Sequence, residues 1–240
     1  MIFTLFWESQ GTAGASGNGK GVATIDASAS TAGIEITTLV NTGVAENGLI
    51  IKGGAGADNI ATGAITASAL TIETGAGDDK IDLSGILTAN TLTADKIIVN
   101  AGAGNDQITV GAKGGTYTLG AGKDLINVKD AVATGTTAAD SVFTTITDIE
   151  KGDIIKFATG GAFTMTDVSG ATDLDSALTK IAAGAVKTWF QYGSDTYIVD
   201  NVAGAGIAAN DVVVKLNGLV DLSNSTFSAD PLKVGELTIA

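Results

Sequence analysis

The sequence contains no cysteine, no histidine and no arginine, and it contains a single proline. Without cysteine it has no disulfide framework, no thiol nucleophile and no thiolate metal site. Without histidine it lacks the commonest general base and the usual zinc ligand. It also lacks the Gly-x-Ser-x-Gly motif that presents a serine nucleophile. We therefore expect a protein that is not an enzyme.

Positive charge is scarce as well. The chain has 26 acidic residues against 13 basic ones, which gives a formal net charge of −13. Phosphates and anionic lipid headgroups repel such a surface, so we expect no nucleic-acid partner. No segment reaches the roughly 18 to 20 apolar residues that a membrane-spanning helix needs. The excess of carboxylates instead suits hard cations, which prefer oxygen ligands.

Four short glycine-rich segments recur between residues 53 and 127. Each reads Gly-x-Gly-x-Asp, and an apolar residue follows two positions after the aspartate. Successive aspartates are separated by 21, 27 and 18 residues. The repeated residues are Gly54, Gly56 and Asp58; Gly75, Gly77 and Asp79; Gly102, Gly104 and Asp106; and Gly120, Gly122 and Asp124.

Short runs of β-forming residues separate these segments. Each run alternates between apolar and polar residues, as expected for strands with one buried face. The pattern predicts an all-β fold in which residues 20–130 form a parallel β-roll or β-solenoid, with the acidic turns along one edge. The 18-residue interval fits one complete coil, whereas the longer intervals predict wider coils or insertions. The predicted strands are 22–25, 34–36, 49–51, 70–72, 81–83, 97–99, 108–110, 117–119 and 125–128.

The composition changes after residue 130. Residues 131–145 are rich in Ala, Thr and Gly and are interpreted as a linker. Residues 146–240 hold most of the aromatic residues and predict a β-rich C-terminal cap domain. Within it, 172–181 predicts one short helix with Thr172 or Asp173 as N-cap, and 189–199 predicts a hairpin. Residues 1–19 are interpreted as a boundary, an internal cut or a first strand.

The repeated turns have the chemistry of a calcium site. Calcium takes six to eight oxygen ligands at about 2.3 to 2.6 Å. The glycines would present backbone carbonyls and the aspartate a carboxylate, and an ion between two stacked turns would receive oxygens from both. We expect about three such sites, with the repeated Gly and Asp residues forming them, and a metal-free chain that is loose until calcium binds. The alternative is that Gly and Asp serve only as turn residues.

The repeat resembles the calcium-binding nonapeptide of the RTX superfamily, G-G-x-G-x-D-x-U-x, over residues 53–128. Residues 146–157 resemble the segment that follows such repeats. Residues 189–200 and 213–222 are similar to the C-terminal region of surface-layer proteins of the Caulobacter and Campylobacter type. The resemblance implies export by type I secretion machinery through a signal within about residues 140–240. It also implies calcium-dependent assembly at the cell surface.

The leading hypothesis is therefore a structural calcium-binding module of a secreted, self-assembling surface-layer (S-layer) protein, extracellular and located at the cell surface. The alternative is a folding and export module of a larger secreted enzyme or adhesin. A third reading is an adhesin or ice-binding face built on Thr91, Thr93, Thr116 and Thr118. Trp189, Tyr192 and Tyr197 could bind cell-surface polysaccharide, although packing of the hairpin core is the simpler account of these aromatics.

Overall fold

The computed structural model of the chain describes residues 24–41, 48–65, 67–87, 92–132, 137, 143–182, 186–202 and 204–240. The interpretation of residues 1–19 lies outside the described residues. In the described ranges the chain is nearly all β, with 43% strand and 4% helix. The expectation of a β-rich fold with one short helix is confirmed.

The strands, numbered in chain order, are short, and most contain three to seven residues. One α-helix, α1 (Leu174–Leu178), and one 3-10 turn, Ala94–Lys96, accompany them. The strands are β1 (Thr24–Asp26), β2 (Glu35–Asn41), β3 (Leu49–Lys52), β4 (Asn59–Ile65), β5 (Leu70–Ala76), β6 (Lys80–Asp82), β7 (Ile97–Ala103), β8 (Gln107–Thr109), β9 (Gly115–Ala121), β10 (Leu125–Asn127), β11 (Phe143–Ile146), β12 (Ile154–Lys156), β13 (Phe163–Met165), β14 (Val186–Tyr192), β15 (Asp195–Asn201), β16 (Val212–Leu216), β17 (Thr226–Phe227) and β18 (Glu236–Thr238).

Within the described residues these strands form two sheets, and the chain alternates between them. The first sheet has the order β1-β3-β5-β7-β9-β11-β16-β15-β14-β13, and the second has the order β17-β18-β12-β10-β8-β6-β4-β2. From β1 to β12 the odd-numbered strands therefore lie in the first sheet and the even-numbered strands in the second, and neighbours within each sheet run parallel.

The core between the sheets is made of stacked aliphatic side chains. In the second sheet Ile60, Ile81, Ile108, Ile126 and Ile155 stand in register on successive strands, each two positions after an aspartate. All five are fully buried. Full burial of such a side chain contributes about 1.5 to 3 kcal/mol. The apolar residue that ends each repeat therefore anchors the turn before it to the core.

The C-terminal part changes the pairing from parallel to largely antiparallel. Strands β14, β15 and β16 form an antiparallel group beyond β11, and β17 and β18 cover β12. Helix α1 packs in a second core with Phe190 and Tyr197, whose rings stack at 5.3 Å between centroids. Of the interval 131–145 the structure describes residues 131, 132, 137 and 143–145; Ala131 is buried, and β11, which begins at Phe143, pairs with β9 in the first sheet. The larger hydrophobic cluster contains residues of both parts.

Two elements differ from the sequence-based expectations. Strand β4 was not predicted, because Ala and Gly dilute its apolar residues. The helix is shorter than 172–181, with Asp173 as its N-cap. Its last turn tightens to 3-10 bonds, in which the Lys180 and Ile181 N–H groups donate three residues back. The predicted hairpin is present as β14 and β15. No helix among the described residues is long and apolar enough to cross a lipid bilayer.

Candidate metal centre

The repeated segments lie together at one edge of the two sheets, where the chain crosses from the first sheet to the second. We call residues 53–58, 74–79, 101–106 and 119–124 the first to fourth acidic turns. Their predicted ligands form three columns that run from turn to turn. The first column holds Gly54, Gly75, Gly102 and Gly120, the second holds Gly56, Gly77, Gly104 and Gly122, and the third holds Asp58, Asp79, Asp106 and Asp124.

Glycine is required in these columns because the turns touch through their backbones. Gly102 has φ of 103°, and a Cβ added there would lie 2.0 Å from the carbonyl oxygen of Gly75. A Cβ at Gly120 would lie 1.6 Å from the carbonyl oxygen of Gly102. Real side chains cannot occupy such positions, and L-residues disfavour this φ. The glycines of the second to fourth turns have positive φ, whereas Gly54 and Gly56 do not. The first turn thus differs in backbone conformation.

The aspartates form a hydrogen-bonded row, which we call the aspartate ladder. The backbone N–H groups of Asp58, Asp79, Asp106 and Asp124 donate to the Oδ1 atoms of Asp79, Asp106, Asp124 and Asp153, at 2.7, 2.8, 2.8 and 3.1 Å respectively. All five residues are at most 2% exposed. Each carboxylate therefore links its own turn to the turn before it.

Asp153 is a fifth member of this ladder that the sequence reasoning missed. Its turn, residues 147–153, has Ile149 and Lys151 at the positions of the two repeated glycines, but Ile155 follows two positions after Asp153, as in the repeat. The spacing Asp-x-Ile is common to all five turns and could have identified it. The same turn supplies Asp148, whose carboxylate accepts from the backbone N–H groups of Leu119 and Gly120 at 2.8 and 2.9 Å. This turn closes the C-terminal end of the ladder.

The two ends of the ladder are fully hydrogen-bonded. Asp58 accepts from Ile34 N–H through Oδ1 at 2.7 Å and from Gly54 N–H through Oδ2 at 3.2 Å. Asp153 accepts from Glu150 N–H through Oδ2 at 2.8 Å, in addition to its bond from Asp124. Both oxygens of each end carboxylate therefore have a backbone donor.

The three inner carboxylates are different. Among the described residues, the Oδ2 atoms of Asp79, Asp106 and Asp124 are buried and have no hydrogen-bond partner. Buried charged oxygens are normally hydrogen-bonded or bound to metal, because desolvation without a partner is costly. These three oxygens recur along one edge, one for each turn. They are the strongest sign of a ligand in the part of the chain that the structure describes.

Burial also perturbs the titration of the inner carboxylates. It raises the pKa of Asp106 and of Asp124 to about 6, and the neighbouring carboxylates of the ladder add to this effect. Burial also raises the pKa of Asp79 and that of Asp153. The backbone N–H donors act in the opposite direction. A positive ion beside the ladder would relieve both the desolvation and the mutual repulsion.

Most of the other candidate residues lie away from this edge; Thr118 directly precedes the fourth acidic turn, and its hydroxyl is hydrogen-bonded to that of Thr147 at 2.8 Å. Trp189 and Tyr197 are 5% and 6% exposed, in different core clusters, so these two rings pack in the interior rather than forming an open platform. Tyr192 is half-buried. Thr91 lies outside the described residues. Thr116 pairs with Ile98 of the neighbouring strand, so the threonines do not continue as a regular array.

In the described ranges, no group of three or more acidic side chains gathers around a single point, and the ladder is a row of single carboxylates.

No protein-family model matches this chain, and no curated protein matches it significantly. The resemblance to the RTX superfamily thus rests on the repeated residues themselves.

Proposed function

We propose that this chain is a structural, non-enzymatic calcium-binding module, and that its two sheets form a parallel β-roll of the RTX type. The observation that carries the proposal is the set of buried, unpartnered Oδ2 atoms on Asp79, Asp106 and Asp124. They are spaced by one turn each, and turns of parallel strands lie about 4.8 Å apart. One calcium ion for each unpartnered oxygen gives about three ions, which agrees with the number expected from the spacing of the repeats.

The donor set at this edge consists of oxygen only. Carboxylates and backbone carbonyls suit calcium, whereas zinc and copper prefer the imidazole and thiolate ligands that this chain lacks. Asp79, Asp106 and Asp124 would supply carboxylate oxygens, and the glycine columns would supply carbonyls. Asp58 and Asp153 have both oxygens engaged by backbone donors, so their role in this proposal is to end the ladder.

Calcium binding would be coupled to folding. Ordering each residue costs about 1 to 2 kcal/mol, and the strands in the repeat region are short. At a free calcium concentration 100 times its Kd, one site stabilises the folded state by about 2.7 kcal/mol. A few such sites decide whether the roll forms, which suits a protein exported unfolded and exposed to calcium outside the cell.

Isothermal titration with calcium, using magnesium as the comparison ion, tests this function. We expect about three calcium ions per chain with heat release coupled to gain of β signal in circular dichroism. Asp124→Asn should lose part of this binding. The matched control is Asp221→Asn, which removes the same charge from an exposed turn where Asp221 accepts from Ser223 N–H at 2.9 Å. The proposal fails if the wild-type chain binds no calcium and its circular dichroism and melting point are identical in excess chelator.

For the cellular role we propose a secreted surface-layer protein that self-associates into a sheet or filament after leaving a type I secretion channel. The resemblance of residues 146–157, 189–200 and 213–222 supports this role, and exposed apolar side chains such as Leu219 (63%) and Leu232 (89%) are available for contacts. Electron microscopy with and without millimolar calcium tests it. Ordered arrays only with calcium would support assembly. Dispersed, calcium-folded monomers would instead favour the folding and export module of a larger secreted protein.

A further inference from the structure

A second column of side chains runs beside the aspartate ladder on its exposed side. It is formed by the residue immediately before each aspartate of the four acidic turns. From the first turn to the fourth these residues are Ala57, Asp78, Asn105 and Lys123. The repeat leaves this position variable, and from the sequence Asp78 is expected to be a solvated charge.

Two members of this column connect successive turns. Asp78 Oδ1 accepts from the backbone N–H of Asn105 at 2.7 Å and from its side-chain Nδ2 at 3.2 Å. Asn105 Oδ1 in turn accepts from the backbone N–H of Lys123 at 3.0 Å. The second turn is therefore bonded to the third, and the third to the fourth. Ala57 has no side-chain acceptor, so the first turn makes no such bond to the second.

These bonds run in the opposite direction to those of the aspartate ladder. In the ladder, the N–H of one turn donates to the carboxylate of the following turn. In the outer column, the N–H of the following turn donates to the side chain of the preceding one. The two columns together hold neighbouring turns from both sides. They fix the separation between the unpartnered oxygens of Asp79, Asp106 and Asp124.

We infer that Asp78 and Asn105 are positioning residues for calcium, an inference that rests on the proposed function. Calcium needs its oxygens within about 2.3 to 2.6 Å, so the separation between turns decides how well two turns share one ion. The second and third turns, and likewise the third and fourth, are joined by hydrogen bonds of both the aspartate ladder and the outer column. Of these two columns, only the aspartate ladder joins the first turn to the second. The chain therefore has two tighter calcium positions and a weaker one at its N-terminal end.

Calcium titration of Asn105→Ala in the full chain tests the inference, with Gln107→Ala as the matched control. Both residues are exposed, neutral amides that flank Asp106. The Asn105 side chain is hydrogen-bonded to both neighbouring turns, whereas Gln107 bonds to the preceding turn through its backbone N–H, which donates to the Asp79 carbonyl oxygen at 2.8 Å and is kept in Gln107→Ala. A hydrogen bond contributes about 0.5 to 1.5 kcal/mol net. The Kd of the two tighter positions should therefore rise about threefold to tenfold in Asn105→Ala and stay within twofold of wild type in Gln107→Ala.

Two further variants separate the hydrogen bond from charge and from general destabilisation. Asp78→Asn keeps the acceptor and loses the charge, so it should retain more calcium affinity than Asp78→Ala. Ala57→Asn introduces a side-chain acceptor in the first turn, where the outer column has none, and should lower the calcium Kd of the position between the first and second turns. If the new bond only stabilised the fold, the melting temperature of Ala57→Asn would rise by the same amount with and without calcium, and the calcium Kd would not change.

Amide hydrogen exchange supplies a readout that does not depend on calcium. In Asp78→Ala the Asn105 amide should exchange at least several times faster than in wild type. If the wild-type chain binds calcium but Asn105→Ala matches Gln107→Ala and Ala57→Asn tightens nothing, the positioning role is wrong while the proposed function stands. If the wild-type chain binds no calcium, the proposed function fails, and the positioning role fails with it even where amide exchange reveals the hydrogen bonds.

Discussion

Replacing Asp106 by asparagine is expected to change the stability of the protein in opposite directions with and without calcium. Asp106 lies at the middle of the aspartate ladder, between Asp79 and Asp124, and is 1% exposed. Asparagine keeps the Oδ1 acceptor for the Asp79 N–H bond of 2.8 Å. It removes the negative charge and the unpartnered carboxylate oxygen. The substitution therefore separates the electrostatic cost of the ladder from its benefit in binding metal.

In chelator the substitution should stabilise the fold. The pKa of Asp106 is raised from 3.8 to about 6 by burial and by the neighbouring carboxylates. Each pKa unit corresponds to about 1.4 kcal/mol, so the ionised group costs the metal-free fold on the order of 3 kcal/mol at neutral pH. Asparagine is also polar and buried, which offsets part of this gain. We expect a net gain of about 1 to 3 kcal/mol in the metal-free state.

In saturating calcium the same substitution should destabilise the fold. Asp106 faces the turns on both of its sides, so its loss would weaken two of the proposed ion positions. Each would contribute about 2.7 kcal/mol at 100 times its Kd. Subtracting the metal-free gain of about 1 to 3 kcal/mol leaves an expected net loss of about 2 to 4 kcal/mol. For a chain of this size, 1 kcal/mol corresponds to about 2 to 4 °C in Tm.

The assay is urea unfolding and thermal melting followed by circular dichroism, in excess chelator and in millimolar calcium. Asp221→Asn serves as the control for charge removal and should change neither value by more than about 0.5 kcal/mol. The reasoning is refuted if Asp106→Asn changes stability with the same sign and size in both conditions, because the carboxylate would then have no special relation to calcium.

Three other outcomes follow from the same geometry. Gly102→Ala should destabilise the fold by several kcal/mol more than Gly218→Ala, since both glycines have similar φ (103° and 94°) but only Gly102 has a backbone oxygen in the way; equal losses in urea unfolding would contradict the close contact between turns. Because the folded pKa of Asp106 and of Asp124 is raised to about 6, the folded metal-free state binds more protons than the unfolded state between about pH 4 and 6. The stability of the metal-free state should therefore rise as the pH falls from 7 to 4, while the Kd for calcium increases over the same range. A metal-free stability that falls over this range would contradict the raised pKa values of the buried carboxylates. Asp153→Asn should leave the calcium Kd within twofold of wild type, because its second oxygen already accepts from a backbone N–H; a large loss of affinity would make Asp153 a ligand.

The sequence was most informative where one physical requirement repeats. The apolar residue two positions after each aspartate had to point into the core, and the isoleucine column of the second sheet meets that requirement. The same periodicity located most strands of the repeat region. Strand β4 was not predicted because residues 61–64 are only Ala, Thr and Gly, and Ala and Gly have a low intrinsic preference for strands. Its pairing with β2 and β6, rather than its own composition, makes it a strand.

The repeated residues of the four acidic turns were predictable as neighbours, but Asp153 and the hydrogen-bond partners of each carboxylate were not. The glycine and aspartate spacing placed the acidic turns on one edge. The donors to Oδ1 come from other turns, as Ile34 N–H does for Asp58, and they depend on the register between turns 18 to 29 residues apart, which local sequence patterns do not contain. The donors to Oδ2 of the two end carboxylates, Gly54 N–H and Glu150 N–H, belong to the same turn as the aspartate, so they depend on the backbone conformation of that turn.

The most direct test of the calcium account is a crystal structure of the chain grown in calcium, with anomalous difference maps. The account predicts peaks between successive acidic turns, within about 2.3 to 2.6 Å of the Oδ2 atoms of Asp79, Asp106 and Asp124. An intact aspartate ladder with no peak beside those oxygens would contradict it.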